Sequence, residues 1–157
     1  MGLDPGSRIT GYGILERRGR ELGFVACGVI KSTPALAFPL RIKEIHDGVR
    51  QVIETHGPQL AAVEDIFLAK NPSSALKLGQ ARGAILIAAL SLGLAIHEFS
   101  ARQVKQAVTG YGQAAKGQVQ HMVRTLLALS ADPSPDAADA LAVALCLGHH
   151  LNNTVAS

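Results

Sequence analysis

Apolar and polar positions alternate through residues 9–15 and again through 22–30, with the Arg17 to Arg20 cluster and its glycine between the two runs. A period of two marks strands with one buried face, and a polar, glycine-containing break between two such runs predicts a β-hairpin. Ahead of the hairpin, Gly2-Leu3-Asp4 leads into the turn Asp4-Pro5-Gly6-Ser7, so Asp4 ends a first strand. That strand is very short for a central one; either the true start lies upstream or a neighbouring strand compensates. From Leu40 the period lengthens. Ile42, Ile45, Val49, Val52 and Ile53 recur at helical spacing until Gly57 and Pro58 stop the element, which predicts an amphipathic helix.

The remaining elements follow from the same signals. Residues 59–67 form a short apolar run of strand length with Glu64 near its C-terminal end. Glu64 and Asp65 point to opposite faces of that strand, so at most one can join a site with Asp4. The Asn71-Pro72-Ser73-Ser74 loop precedes a helix over 75–92, with Ser73 or Ser74 as its cap. This helix is apolar nearly all round from Gly83 onward, which buries it in the core or against a second subunit. A strand over 94–100 follows, then a short helix over 101–108, a glycine-punctuated loop over 109–117 and a helix over 118–128. Ser134 then caps a last helix that starts at Pro135. Strands joined by helices imply an α/β fold, a mixed sheet covered on both faces, whose functional groups collect at the carboxyl ends of parallel strands. Asp4 and Glu64 occupy such ends.

Composition narrows the class without naming a function. With 157 residues, 48% of them apolar and 17% charged, the chain suits one soluble globular domain over 1–157. Residues 84–96 are free of charge but too short to cross a bilayer, so no membrane partner is expected. Cys27 and Cys146 are far apart and read as core thiols, which makes a reducing cytoplasm the expected setting. The net charge of +3 allows a polyanionic partner without requiring one.

The carboxylates carry more. Asp136 and Asp139 share one face of the last helix, on an otherwise alanine- and leucine-rich segment. Asp136 alone is accounted for as a first-turn acid favoured by the helix dipole. Asp139, on the way into a buried helix, has no such account. With Asp4 and Glu64 they form four acids in apolar or strand-end settings. Carboxylates brought together raise one another's pKa unless a cation neutralises them, and oxygen-only ligands select Mg²⁺ or Mn²⁺. Two such ions about 3.5–4 Å apart suit phosphodiester cleavage. Arg82, Arg102, Lys105, Lys116 and Arg124 lie on elements that can flank the same end of the sheet, with Phe67, Lys70 and Tyr111 on loops nearby. An exposed aromatic such as Phe67 beside a nuclease site suits base stacking.

The stretches GLDPGSRITGYG, VEDIFLAKNPSSALKLGQARGAI, ARQVKQAVTGYG, KGQVQHMVRTLL and DAADALAVAL closely resemble the RuvC family of bacterial Holliday-junction resolvases. The resemblance covers nearly the whole chain up to about His150. It implies a ribonuclease H-like fold with a mixed five-stranded sheet, and a homodimer. It also implies Mg²⁺-dependent symmetric nicking of a four-way DNA junction that leaves 5′-phosphate and 3′-hydroxyl ends. By the same resemblance Asp4, Glu64, Asp136 and Asp139 are the metal ligands, and Lys105 and Lys116 lie near the scissile phosphate. Phe67 is then placed at the exchange point, and the RuvA and RuvB branch-migration proteins are the implied partners. Two other readings stand beside it. A junction-binding scaffold without metals would not need the four acids. An actin-like phosphotransferase, suggested faintly by DPGS followed by TGYG, would need a second domain to enclose a nucleotide.

Overall fold

The computed structural model describes residues 1–65 and 71–154. Its strands are β1 (Gly2–Asp4), β2 (Ile9–Arg18), β3 (Glu21–Lys31), β4 (Leu60–Glu64) and β5 (Ala95–Phe99). Its helices are α1 (Phe38–His56), α2 (Pro72–Ser91), α3 (Ala101–Thr109), α4 (Lys116–Leu126) and α5 (Pro135–Thr154). The strands form one sheet in the order β3-β2-β1-β4-β5. The hairpin β2–β3 is antiparallel, as is β1 with β2, whereas β1 with β4 and β4 with β5 are parallel. The mixed five-stranded sheet expected from the sequence is therefore present.

Despite its three residues, β1 is the middle strand. Its neighbours compensate: Gly2, Leu3 and Asp4 pair with Gly13, Tyr12 and Gly11 on one side, and Gly2 and Leu3 with Ala62 and Val63 on the other. Leu3 is fully buried, so the short strand is held by its partners and by packing on both faces.

Side-chain alternation divides the core into two layers. Leu3, Ala61 and Val63 pack with Ile45, Val49 and Ile53 of α1 and with Ala81, Ile85, Ala88 and Ala89 of α2. Ala62 joins the other layer, with Val104 and Val108 of α3, Val119 and Val123 of α4, and Leu141, Val143 and Leu145 of α5. Helix α5 is the central element of that layer: every residue from Ala140 to Gly148 is buried. Its approach to the sheet is close because Gly2 faces it. A Cβ on Gly2 would lie 2.2 Å from the Ala140 carbonyl oxygen.

The helix ends follow local chemistry, with two corrections. Gly57 closes α1 in the left-handed region at φ 57° and donates its N–H to the Ile53 carbonyl. Ser100 begins α3 with a reciprocal capping box to Gln103. Helix α2, however, is capped by Asn71 and not by Ser73 or Ser74; the Asn71 side-chain oxygen accepts from the N–H groups of both serines. The proline after Asn71 suits the first helical position, which moves the cap back to Asn71. Helix α4 starts at Lys116, earlier than the expected 118, because the Gln118 side chain accepts from the Ala115 N–H and closes the first turn there. Both cysteines are thiols, Cys146 buried and Cys27 half-buried.

Candidate active site

Strand direction brings the first two acids together. Strands β1 and β4 run parallel and adjacent, so Asp4 and Glu64 close them at the same end of the sheet. Gly2 faces α5 and Leu3 faces α1 and α2, so alternation turns Asp4 toward α5. Val63 and Ala62 place Glu64 on that same face. Asp65, beyond the strand, has Arg82 3.9 Å away and donates its backbone N–H to the Phe99 carbonyl. The α5 acids arrive from above. Ala137 N–H is 3.4 Å from the Ser134 hydroxyl that caps the helix, and Asp136 and Asp139 lie on its first turns.

The electrostatics show that the four acids share one field. Burial, then the charges of Asp139, Glu64 and Asp136 in that order, push the Asp4 carboxyl from 3.8 up to about 7. Burial is also the main cause that raises Glu64, followed by Asp139, and Lys105 and Lys116 oppose it. Lys116 Nζ lies 2.6 Å from Asp139 Oδ2, and this hydrogen bond raises the lysine above its ordinary value. Lys116 is thus the counter-charge of the cluster. Among the described residues no three His, Cys, Asp or Glu side chains converge tightly enough to hold an ion as they stand. The donor set nonetheless fits a hard divalent cation, since it is all oxygen, holds excess negative charge and contains one acid whose ionisation burial and its neighbours together disfavour.

The other expected residues divide. Lys105 lies where its charge acts on Glu64. Arg102 packs along Gly112 of the following loop, and Tyr111 is exposed, its hydroxyl donating to Gln113. Arg82 is turned to protein partners: it pairs with Glu98, and its Nε lies 3.4 Å from the Glu64 carbonyl. It therefore ties the end of β4 to β5. Arg124 pairs with Asp132 at 3.0 Å. Phe67 and Lys70 lie outside the described residues.

Two contributions escaped sequence reasoning. A Cβ on Gly11 would lie 2.0 Å from the Asp136 carbonyl oxygen, so this glycine lets the first turn of α5 settle on β2. Arg41 of α1 donates to the Ser7 carbonyl at 2.7 Å and to the Ser32 hydroxyl, bracing the turn that follows Asp4. The glycine of the TGYG stretch was visible, but its opposite number was not. Arg41 gave no signal on an otherwise ordinary polar helix face.

This sheet, with clustered carboxylates at the ends of two parallel strands and on a facing helix, and with lysines beside them, defines a ribonuclease H-like nuclease. The family model described as "Crossover junction endodeoxyribonuclease RuvC" matches residues 1–147. The chain belongs to that family. It is 52% identical over 155 residues to proteins of that description from Yersinia enterocolitica and Yersinia pestis, covering 99% of this chain and 89% of each relative. Among solved structures it is similar to "T. thermophilus RuvC in complex with Holliday junction substrate", with TM-score 0.90 and 35% identity over 98% of this chain and 94% of that one. The Thermus thermophilus RuvC structure matches with TM-score 0.85 at 36% identity, over 98% of this chain and 95% of that one. The yeast mitochondrial Holliday junction resolvase Ydc2, at 11% identity and TM-score 0.65 over 98% of this chain and 81% of that one, shares the fold. Family membership removes the basis for the actin-like phosphotransferase reading.

Proposed function

We propose that residues 1–157 act as one nuclease domain that nicks two strands of a four-way DNA junction symmetrically, with Asp4, Glu64, Asp136 and Asp139 holding Mg²⁺. The observation that carries this reading is the convergence of four acids from three separated stretches on one face of one sheet end, where burial and then the charges of Asp139, Glu64 and Asp136 raise the Asp4 carboxyl to about 7. Family membership and the junction-bound Thermus thermophilus neighbour support the substrate. Two ions per site are proposed, with Mn²⁺ as a substitute, and bound ions would lower the pKa of the attacking water and neutralise charge developing on the phosphate. The chain's own groups do the rest. Lys105 and Lys116 would hold the scissile phosphate and offset its charge, and the carboxylates would hold the proton-accepting side of the site negative. Phe67, Lys70, Arg102 and Tyr111 are proposed DNA contacts, and Arg82 and Arg124 join them where DNA displaces their acidic partners.

A mobile synthetic junction with labelled strands tests this. Paired nicks that appear with Mg²⁺, vanish with chelator and reseal with ligase are expected. Tight junction binding with no Mg²⁺-dependent nicking would favour the scaffold reading, for which the Lys116–Asp139 pair is the supporting observation. That pair leads to a second expectation. Lys116→Ala should slow cleavage by about 10² at saturating Mg²⁺. It should also tighten Mn²⁺ binding to the DNA-free protein by calorimetry, because Asp139 loses its competing ammonium. Weaker Mn²⁺ binding in the variant would refute the competition.

We extend the proposal to a homodimer formed through α2. Leu76, Ile87 and Leu90 are exposed along this helix, at 68%, 57% and 54%, while Ala81, Ile85 and Ala88 face the core. Apolar side chains in such a row suit burial against a second copy, and two sites about a two-fold axis match a junction with two strands to cut. Ile87→Asp with Leu90→Asp should sediment as a monomer and lose coordinated double nicking. A dimeric double variant would rule out this face. Cooperation with RuvA and RuvB rests on family resemblance. No helix among the described residues is long and apolar enough to cross a membrane, and the cytoplasm is the proposed setting, in keeping with the proposed DNA substrate.

A further inference from the structure

The end of the sheet that carries the acids has a second flank, on the α1 and α2 side. Ile9 pairs with Lys31 and the Arg8 carbonyl accepts from the Ser32 N–H, where β2 begins and β3 ends, the end at which β1 finishes with Asp4; alternation turns Lys31 to the α5 face, since its neighbour Ile30 packs against Gly48 of α1. Arg41 reaches the same place from α1: its guanidinium bonds the Ser7 carbonyl, and the Ser32 hydroxyl at 3.0 and 3.1 Å. Beside it Phe38 is gripped by two cations, with the Arg41 guanidinium carbon and Lys77 Nζ each 5.7 Å from the ring centroid. Phe38, Arg41 and Lys77 are therefore linked by contact, and Arg8 and Lys31 flank them at the same end of the sheet, next to the Ser7 and Ser32 groups that Arg41 holds.

That patch holds positive charge with little to balance it. Among the described residues, Arg8, Lys31, Arg41 and Lys77 form no ion pair. Glu44 is the carboxylate that feels Arg41, but its two oxygens are taken by the Thr33 N–H at 2.7 Å and the Thr33 hydroxyl at 2.8 Å. Holding two cations over one ring is unfavourable in isolation, since like charges repel and each cation could instead be hydrated. An anion shared among them reverses the balance.

We propose that this patch binds the phosphodiester backbone of a junction arm on the side of the cut opposite Lys105 and Lys116. Junction cleavage as proposed above is the premise. DNA crossing the acidic centre must find positive charge on both sides, because the carboxylates themselves repel the backbone. Lys105 and Lys116 supply it on the α3–α4 side, and Arg8 and Lys31 at the β2–β3 strand ends, with Arg41 and Lys77 at the starts of α1 and α2, supply it on the other. Phosphate contacts carry no sequence information, so the patch strengthens and orients binding without choosing the cleavage sequence.

The test uses the full chain, a four-way junction and chelator, so that binding is read without cleavage. The variant Arg8→Gln/Lys31→Gln/Lys77→Gln changes exposed side chains and leaves Arg41 to brace its turn. Affinity is followed between about 50 and 200 mM salt, where each lost phosphate contact lowers the slope of log K against log salt by about 0.9. The slope is expected to fall by roughly 2–3, with at least a tenfold loss of affinity near 100 mM. Arg50→Gln, a control at a residue paired with Glu54, should bind as the unaltered protein does. Junctions with single methylphosphonates along the arms supply a second measurement, usable with Lys77→Gln alone if the triple variant does not fold. Neutral positions that weaken the unaltered protein should not weaken the variant further. An unchanged slope in a folded triple variant, or equal weakening of both proteins by every methylphosphonate, overturns the proposal. Failure of the unaltered protein to bind any junction would instead overturn the resolvase reading beneath it.

Discussion

Asp4→Asn is expected to abolish cleavage and, in metal-free buffer at neutral pH, to raise the melting temperature. The second half follows from the field around Asp4. Its carboxyl is pushed from 3.8 to about 7 by burial and by three neighbouring acids, so the folded protein binds this proton more tightly than the unfolded chain does. Such a group contributes its stability fully below pH 4, and the contribution is lost as pH rises through about 7. Above that, the ionised aspartate costs the metal-free fold about 4 kcal/mol. Asparagine fills the same space without the charge. The variant should therefore melt several degrees higher near pH 8 in chelator, and the gap should close as pH falls toward 4. Mg²⁺ should stabilise the unaltered protein more than the variant, by mass action on its ionised site. Cleavage should fall by about 10³ or more, as for loss of a group that organises the charge at the reacting phosphate. Junction binding in chelator should be kept, since a negative charge has been removed from a surface that meets DNA. Melting curves across pH 4–8 and single-turnover cleavage decide the matter; a variant that cuts at the normal rate would remove Asp4 from the site.

Gly11→Ala should do nearly as much damage from outside the cluster. The added Cβ would stand 2.0 Å from the Asp136 carbonyl oxygen and 2.6 Å from its carbon. Both are backbone atoms of the first turn of α5, so no side-chain rotation relieves the clash. Either β2 bends away or the helix N-terminus lifts, and Asp136 and Asp139 lift with it. A displacement near 1 Å is enough to cost about 10² in rate where charges must be aimed at one phosphate. Overpacking of this kind costs about 1–3 kcal/mol of stability. Gly19→Ala is the matched control: Gly19 turns the β2–β3 hairpin at φ 63° with nothing within 4 Å, so the substitution strains only the turn. Single-turnover cleavage and thermal unfolding of both variants should separate them, with Gly19→Ala losing a little stability and no activity. Equal rates for Gly11→Ala and the unaltered protein would show that the α5 N-terminus can adjust freely.

Local signals explain why much of this was legible beforehand. The hairpin follows from a period of two interrupted by a polar glycine turn, and α1 from a period near four closed by Gly57. The start of α5 at Pro135 follows from the Ser134 cap. Where several local signals compete, residue type alone does not choose among them. Asn71, Ser73 and Ser74 all have capping side chains, and the proline after Asn71 decided among them. Lys116 reads as a loop residue among its glycines, but the Gln118 side chain recruits it into the first turn of α4, from which it reaches Asp139. Arg82 looked like a DNA-facing cation on a helix near the site. Its engagement with Glu98, Asp65 and the Glu64 carbonyl depends on β5 lying beside β4, which no local pattern records.

The sequence by itself determined the inventory: which segments are strands and helices, and which carboxylates sit where an apolar setting makes their charge costly. Asp139 stood out on this ground, because a charge entering a buried helix needs a partner and its own helix offers none. The tertiary structure decided which face each acid occupies and how near the acids come. That required the parallel pairing of β1 with β4 and the seating of α5 against Gly2 and Gly11. Such contacts join residues from 60 to 138 positions apart, as in Gly2 with Ala62 and Gly2 with Ala140, and the seating of α5 depends on backbone meeting backbone where side chains are missing. A sequence names the glycine but not the atom that will fill the space it leaves.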